Sequence, residues 1–231
     1  MSHKDALTLF TVRETRVTTE PSAAGAPIAM FVLGAFLARN ASLLGRIRRG
    51  IFASIAYMTG DVTHFAGHIV SSRYAEAPLD QVHIGAPMPM SIYENNDVSP
   101  QAHKMRAIGG PIGSGVAWLV SLFLRALTRP NTVMREFFDA QCWVHGILAF
   151  GSLMPIPFVD GGSLFKWSMV ELGQTPEQAD ESVKEANLVL GGVAGFVGLM
   201  GLLFRKWGLA IGGFVIAAQF IAIGMGKLNI K

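Results

Sequence analysis

The chain has 231 residues, of which 51% are apolar and only 15% are charged. A soluble globular domain has about 25% charged residues, so this composition argues against that class and indicates a membrane protein. The net charge of +3 does not indicate a nucleic-acid-binding protein, because the basic residues fall in short loops and not along one face. The single cysteine, Cys142, cannot form an internal disulfide, and we expect it to be a core residue.

The first part of the chain predicts a polar arm followed by a membrane core. Residues 1–20 are polar and lack the apolar stretch of a signal peptide, so they are predicted to form a solvated N-terminal arm. The membrane core is predicted over residues 21–172. Three of its segments are uncharged and nearly long enough to cross a bilayer, and a fourth qualifies if Asp61 is tolerated inside it. In chain order the four are Pro21–Ala38, Gly50–Ser72 (which contains Asp61), Ala107–Leu124 and Ala140–Val159.

The last part of the chain predicts a connector and a hairpin. Thr175 and Pro176, an N-cap residue before a proline at the first helical position, predict an acidic connector helix within residues 173–185. Residues 186–231 contain two uncharged runs, each about 30 Å long as a helix, which is the thickness of the hydrocarbon core. They predict a C-terminal transmembrane hairpin. The fold class predicted for the chain is therefore all-α, a polytopic membrane helical bundle with five or six transmembrane helices.

Basic residues alternate between the loops, as the positive-inside rule predicts for membrane proteins. Arg39–Arg49 contains four of them and Arg125–Asp139 contains three. The turn Arg205-Lys206 is wholly basic, whereas the connections Arg73–Arg106 and Asp160–Glu185 are longer and more acidic. We therefore place the basic loops in the cytoplasm.

The connection Arg73–Arg106 contains four prolines and alternating stretches such as Val82-His83-Ile84, which predict loop or short strand rather than helix. Its histidines, His83 and His103, are expected to be solvated.

Glycines four residues apart are typical of membrane helices that approach closely. The segment Gly109–Gly115 has such a pair, and a phosphate-binding loop is the other interpretation of it. No strand precedes the segment and an apolar span follows it, which favours helix packing. The pairs are Gly109 with Gly113, Gly191 with Gly195, and Gly208 with Gly212.

One predicted span carries ionisable side chains, which are costly inside a membrane and therefore indicate a functional site. Asp61, His64 and His68 are spaced by three and four residues, so they share one helix face. Two imidazoles at positions i and i+4 can bind one metal ion. The alternative is that the histidines only form hydrogen bonds with neighbouring helices. Asp61 is expected to accept a hydrogen bond from an imidazole rather than to be a fourth ligand.

Asp160 is the candidate third ligand. It follows a Pro-Ile-Pro-Phe-Val segment at the end of a predicted span and precedes Gly161-Gly162. Prolines free backbone polar groups and glycines allow close approach, an arrangement tolerated at membrane depth only inside protein or facing a cavity.

Three segments in this order resemble the site-2 protease type of intramembrane zinc metallopeptidase. His64-Phe65-Ala66-Gly67-His68 resembles the family's His-Glu-x-x-His motif, and Gly109-Gly110-Pro111 resembles its Ala/Gly-Gly-Pro segment. Residues 152–162 resemble its Asn-x-x-Pro-x-x-x-Leu-Asp-Gly segment. The resemblance covers about residues 50–170, and it implies a site-2-protease-like core that binds zinc through His64, His68 and Asp160.

Two departures from the family pattern concern catalysis. Phe65 stands in place of the glutamate that is the general base, and Ser152 stands in place of the asparagine. Phenylalanine can neither take nor give a proton, so the family's hydrolysis mechanism lacks its base. The remaining candidate catalytic residues are Asp61, His145 and Ser152; for His145 a structural hydrogen bond is the favoured interpretation.

The sequence therefore predicts a non-catalytic, zinc-binding membrane regulator or scaffold. The alternative is an active intramembrane metalloendopeptidase that uses a displaced base such as Asp61 or His145; transport is a third class. The expected partners are the lipid bilayer and a membrane-spanning substrate or client, with no nucleic acid.

Overall fold

A computed structural model describes residues 6–86 and 88–228. Over these residues the chain forms seven α-helices and a small four-stranded sheet, so the predicted all-α class is confirmed with the sheet as an addition. It divides into two compact units, Met1–Ser152 and Leu153–Lys231. The elements are β1 (Leu7–Val12), β2 (Thr15–Thr19), α1 (Gly25–Leu37), α2 (Leu43–Tyr74), β3 (Gln81–Ile84), β4 (Met90–Ile92), α3 (Pro100–Leu127), α4 (Val133–Gly151), α5 (Asp160–Glu171), α6 (Pro176–Leu203) and α7 (Trp207–Gly224).

The protein is a membrane protein. In the described part of the chain, α3, α6 and α7 are long and apolar enough to cross a bilayer, and Pro21–Leu37 is a shorter apolar helix. Large apolar side chains on these helices are exposed, as lipid-facing residues are. The predicted total of five or six spans stays a prediction.

Close packing between α2 and α3 depends on glycine. A Cβ atom at Gly109 would overlap Ser71 and the carbonyl oxygen of Gly67, and one at Gly113 would overlap the carbonyl oxygen of Thr63. The two helices therefore approach at backbone distance, which confirms the packing role predicted for this glycine pair.

The N-terminal strands belong to the first unit. β2 pairs antiparallel with β1 and parallel with β3, which pairs antiparallel with β4. Residues 7–19 are thus a hairpin in a sheet, where a solvated arm was expected. The β-branched residues of β2 explain this, because they suit a pleated, half-buried surface. Val17 packs there in a buried cluster with Leu79 and Val82.

The two histidines of the long connection are buried, so the expectation that they are solvated is wrong. His83 lies in β3, and its Nδ1 atom is 3.1 Å from the Thr18 hydroxyl. His103 lies in the first turns of α3, and its Nε2 atom is 3.2 Å from the carbonyl oxygen of Asn96. Pairing of the sheet and docking of α3 supply the polar partners that burial requires.

Ion pairs join the basic loops of the first unit. Arg48 and Arg49, near the start of α2, contact the Glu136 carboxylate at 2.7 and 3.1 Å. Arg125, near the end of α3, pairs with Asp139 of α4. The start of α2, the end of α3 and the start of α4 therefore lie on one side, as the charge pattern predicts.

The second unit contains α5, α6 and α7. α4 of the first unit ends at Gly151, so the predicted span Ala140–Val159 is too long. Pro155 and Pro157 explain the difference, because proline lacks the N–H that a helix interior requires. α6 is continuous from Pro176, so the predicted connector helix and the first hairpin helix are one element. Its start has the predicted Thr175 cap, completed by Gln178 as a capping box.

Helices α6 and α7 pack through one of the predicted glycines, Gly191, and through two that were not predicted, Gly201 and Gly213. Cβ atoms at Gly201 and Gly213 would overlap facing backbone, and one at Gly191 would overlap Ile221. Gly208 and Gly212 face open space, so the packing role predicted for that pair is wrong. Gly208 and Gly212 have the four-residue spacing that is typical of a helix interface, but α7 presents a different face to α6.

Candidate metal centre

Two histidine side chains project from one face of α2, one helical turn apart. The centroids of the His64 and His68 rings are 4.9 Å apart, and the ring nitrogens that could hold a metal lie within 4.8 Å of each other. His68 is buried and His64 is half-buried. Two imidazoles this close can serve as ligands of one zinc ion.

Helix α3 orients both rings through their Nδ1 atoms. Nδ1 of His64 lies 2.9 Å from the Ser114 hydroxyl, and Nδ1 of His68 lies 2.8 Å from the backbone carbonyl oxygen of Arg106. A carbonyl oxygen can only accept, so Nδ1 of His68 donates its proton there. Nε2 is then the nitrogen that suits a metal ion, because a neutral imidazole carries one proton.

The two Nε2 atoms face Gly110 of α3. A Cβ atom at Gly110 would overlap the Nε2 atoms of both His64 and His68. The missing side chain therefore leaves space beside the two nitrogens. Paired imidazole nitrogens with outer hydrogen bonds and an adjacent space supply two of the donors that a zinc site uses, so these residues suit the metal that the family resemblance implies.

Ser114 and Arg106 were not among the predicted site residues. Both lie four residues from Gly110, so the three form one stripe along α3. This spacing was the available signal in the sequence. The Arg106 side chain is buried as well, with Nε donating to the Ala77 carbonyl oxygen at 2.8 Å and the guanidinium 4.3 Å from the Tyr93 ring centroid. These contacts fix the start of α3, and with it the carbonyl group that holds His68.

Phe65 occupies the position of the general base in the resembled motif. The centroid of its ring lies 5.9 Å from that of His64 and 6.1 Å from that of His68. The half-buried ring packs against the cluster of Val17, Leu79 and Val82. An apolar ring beside both imidazoles can exclude water but cannot transfer a proton.

Asp61 lies one turn before His64 on α2. It accepts a hydrogen bond from the Tyr57 hydroxyl and interacts electrostatically with His64. Asp61 is the acidic residue of α2, and it lies three residues before His64.

The other two candidate catalytic residues lie in or just after α4. His145 is buried, with Nε2 2.9 Å from Gln141 Oε1 and Nδ1 3.5 Å from the Thr63 hydroxyl. These contacts agree with the structural hydrogen bond favoured from the sequence. Ser152 follows the end of α4, and its buried hydroxyl has no hydrogen-bond partner among the described residues.

Asp160 belongs to the second unit, where it is the first residue of α5. The two glycines after it permit a tight turn: a Cβ atom at Gly161 would overlap the backbone of Leu153, and one at Gly162 would overlap the carbonyl oxygen of Ile156. The residues between α4 and α5 thus fold back against the start of α5. A carboxylate at a helix N-terminus is also favoured by the helix dipole.

Comparison with known proteins identifies the fold. The solved structure of the site-2 protease from Methanocaldococcus jannaschii is similar to this chain, with a TM-score of 0.52 and 14% sequence identity over 98% of each chain. The chain therefore has a site-2-protease-like fold, which confirms the predicted core; at this identity the likeness concerns the fold alone. No protein-family profile matches the chain, and no curated protein sequence matches it.

Proposed function

We propose that this protein is a non-catalytic, zinc-binding member of the site-2-protease fold that regulates or scaffolds a membrane-spanning protein. The observation that carries the proposal is the position of Phe65, an apolar ring packed between the sheet cluster and the histidine pair. The fold and the histidine pair suit a metal site, and the residue that would perform proton transfer is missing.

The proposed ligands are His64, His68 and Asp160. Support for the histidines comes from their separation, their Nδ1 hydrogen bonds and the space at Gly110. Support for Asp160 comes from its place after the Pro-Ile-Pro segment and from its resemblance to the family's Asp-Gly segment. When bound, zinc would supply Lewis acidity. The chain's own residues orient the imidazoles and exclude water from one side.

Loss of a general base is expected to reduce hydrolysis by about 10²- to 10⁴-fold. A protein that keeps the ligands without the base can still hold a membrane-spanning segment. Binding without cleavage is the property of a regulator or scaffold, which is why we propose that role.

One observation favours the second candidate function, an active metalloendopeptidase with a displaced base. Asp61 interacts electrostatically with His64 and lies on the same helix. Its hydrogen bond with Tyr57 already uses part of its acceptor capacity. We rank this function second for that reason.

Metal content tests the site. Detergent-purified protein is expected to contain about one zinc ion per chain, because the three ligands and an exogenous molecule make the four-coordinate site that zinc prefers. His64→Ala and Asp160→Ala should each remove the ion. His103→Ala is the control, since it removes a buried histidine that bonds to Asn96. If the purified wild-type protein is folded but contains no metal, the proposed zinc site is wrong.

Cleavage assays test the absence of catalysis. The wild-type protein is expected not to cleave membrane-embedded substrates, and Phe65→Glu, with Ser152→Asn where required, is expected to introduce measurable cleavage. Phe65→Gln is the matched control, because it has the size and polarity of glutamate without the base. Wild-type cleavage that Asp61→Ala abolishes while zinc stays bound would establish the second function instead.

A further inference from the structure

A buried asparagine in α6 contacts the turn that precedes α5. Asn187 is completely buried, although it lies in the apolar part of its helix. Its Nδ2 atom donates to the carbonyl oxygen of Pro155 at 2.6 Å and to that of Val183 at 2.7 Å. Both N–H groups of the amide are therefore used. Burial of an amide in an apolar helix is costly unless its polar atoms are bonded, so this contact has a specific role.

The turn needs an outside donor at Pro155. In a helix the carbonyl of Pro155 would accept from the amide of Val159, but that amide donates to Ile156 at 3.0 Å. Pro157 has no N–H to offer. Asn187 thus supplies a hydrogen bond that the local backbone does not, and it fixes one end of the turn to α6.

The other end of the turn leads directly to Asp160. The amide of Gly162 donates to the Val159 carbonyl oxygen at 3.0 Å, and Gly162 lies against the Ile156 carbonyl group. The five residues from Pro155 to Val159 are therefore held at both ends. A shift at Pro155 would be transmitted to the start of α5, because the connection is short and hydrogen-bonded at both ends.

We infer that Asn187 is a positioning residue for Asp160: its amide anchors the Pro155 carbonyl so that the aspartate is held in the geometry of a metal ligand. The inference rests on the proposed zinc site. Residues that orient metal ligands through hydrogen bonds commonly change metal affinity by about 10- to 100-fold when they are replaced.

The chemistry of the amide separates this role from packing. The Oδ1 atom of Asn187 is buried and has no hydrogen-bond partner among the described residues, so the donor end makes the contacts. Asn187→Asp keeps the size and replaces both N–H donors by a carboxyl group that has at most one donor, the O–H of its protonated form. Asn187→Leu removes all polarity at similar volume and serves if a buried carboxylate prevents folding. Ser182→Ala is the matched control, since it removes a hydrogen bond of α6 to Gln174 that does not involve the turn.

The experiment uses the full chain in detergent and measures three quantities. Chelator competition gives the zinc dissociation constant, Co²⁺ substitution gives the visible spectrum of the ligand set, and hydrogen exchange of the metal-free protein reports the amides of residues 153–162. Both Asn187 variants should bind zinc about 10- to 100-fold more weakly, with an altered Co²⁺ spectrum and faster exchange in the turn. Ser182→Ala should match the wild type in all three.

The outcomes distinguish the inference from the proposed function. If the wild type binds zinc and both folded Asn187 variants bind it equally well, the inference is overturned and the zinc site stands. If the wild type binds no zinc, the proposed function fails, and the exchange measurement still decides whether Asn187 holds the turn. Unchanged exchange in residues 153–162 would refute that anchoring directly.

Discussion

The Nδ1 atom of His64 and the hydroxyl oxygen of Ser114 are 2.9 Å apart, and this hydrogen bond turns the Nε2 atom of the same ring toward Gly110. A serine hydroxyl rotates freely and can donate or accept, so it can fit either tautomer of the ring. His68 differs, because its partner is a carbonyl oxygen that only accepts. The pair therefore has one ring with a fixed tautomer and one that can adjust.

Ser114→Ala is expected to weaken zinc binding by about 10- to 100-fold, because the His64 ring loses the bond that orients it. The fold should be retained, since the substitution removes one oxygen atom. Ser121→Ala is the control: that buried hydroxyl lies on the same helix and donates to the Ala117 carbonyl oxygen of its own turn. Chelator competition measures both, and equal zinc affinity for the two variants would contradict an orienting role for Ser114.

Gly110→Ala is expected to abolish zinc binding, because the added methyl group would occupy the space beside both Nε2 atoms. Gly115→Ala is the matched control, since it lies on the same helix and its Cβ would face open space. That control should keep zinc and gain up to about 1 kcal/mol of stability, the usual effect of replacing glycine inside a helix. Zinc content and thermal unfolding are the measurements. Normal zinc content in folded Gly110→Ala would show that the metal lies elsewhere.

The local sequence pattern predicted the two histidines of the site, but it did not predict the residues of α3 that contact them. The i, i+4 spacing of His64 and His68 places them on one helix face whatever packs against it, so their proximity could be predicted from the sequence alone. Ser114 and Arg106 could not be identified, because their roles depend on which face of α3 turns toward α2. The same limit explains the glycines of α7, where spacing indicated an interface but Gly213 and not Gly208 makes it.

Non-local pairing explains the difference at the N-terminus. The strand β2 pairs with β3, which lies about 65 residues further along the chain, as in the pair Val17 and Val82. A polar, alternating segment does not by itself show whether such a partner exists. The predicted span Ala140–Val159 placed the end of a helix where α5 begins, whereas α4 ends at Gly151, before the two prolines. The carbonyl of Pro155 is bonded instead by Asn187, which lies in another helix, and such a distant partner could not be inferred from the local sequence.

The ion pairs of Glu136 predict a pH dependence of stability. Burial alone would raise the pKa of Glu136, but hydrogen bonds and positive charge from Arg49 and Arg48 outweigh it and lower that pKa. Because the folded pKa is below the unfolded one, the carboxylate stabilises the fold above its unfolded pKa. This stabilisation is lost as the pH falls through the lowered folded pKa.

Glu136→Gln should therefore destabilise the protein by about 1 kcal/mol at neutral pH and have a smaller effect in acid. Glu94→Gln is the control, because the Glu94–Arg16 pair is far more exposed, at 68% and 53% for the two side chains. Thermal unfolding in detergent between neutral and acid pH measures the difference. A cost of Glu136→Gln that does not shrink in acid would contradict the assigned ion pairs.

Membrane orientation gives the last prediction. The ion pairs of Arg48 and Arg49 with Glu136 hold the start of α2 and the start of α4 on one side, so the basic residues 39–49 and 125–135 face the same compartment. The positive-inside rule makes this the cytoplasm. Reporter fusions at Arg129 and after Lys206 should therefore be cytoplasmic, and fusions at Asn95 and Gln178 should not. Arg129 and Asn95 lie beyond opposite ends of α3, so opposite signals at these two sites also establish that α3 crosses the membrane. If the signals at all four sites are reversed, the protein has the inverse orientation, and if Arg129 and Asn95 report the same compartment, α3 does not span.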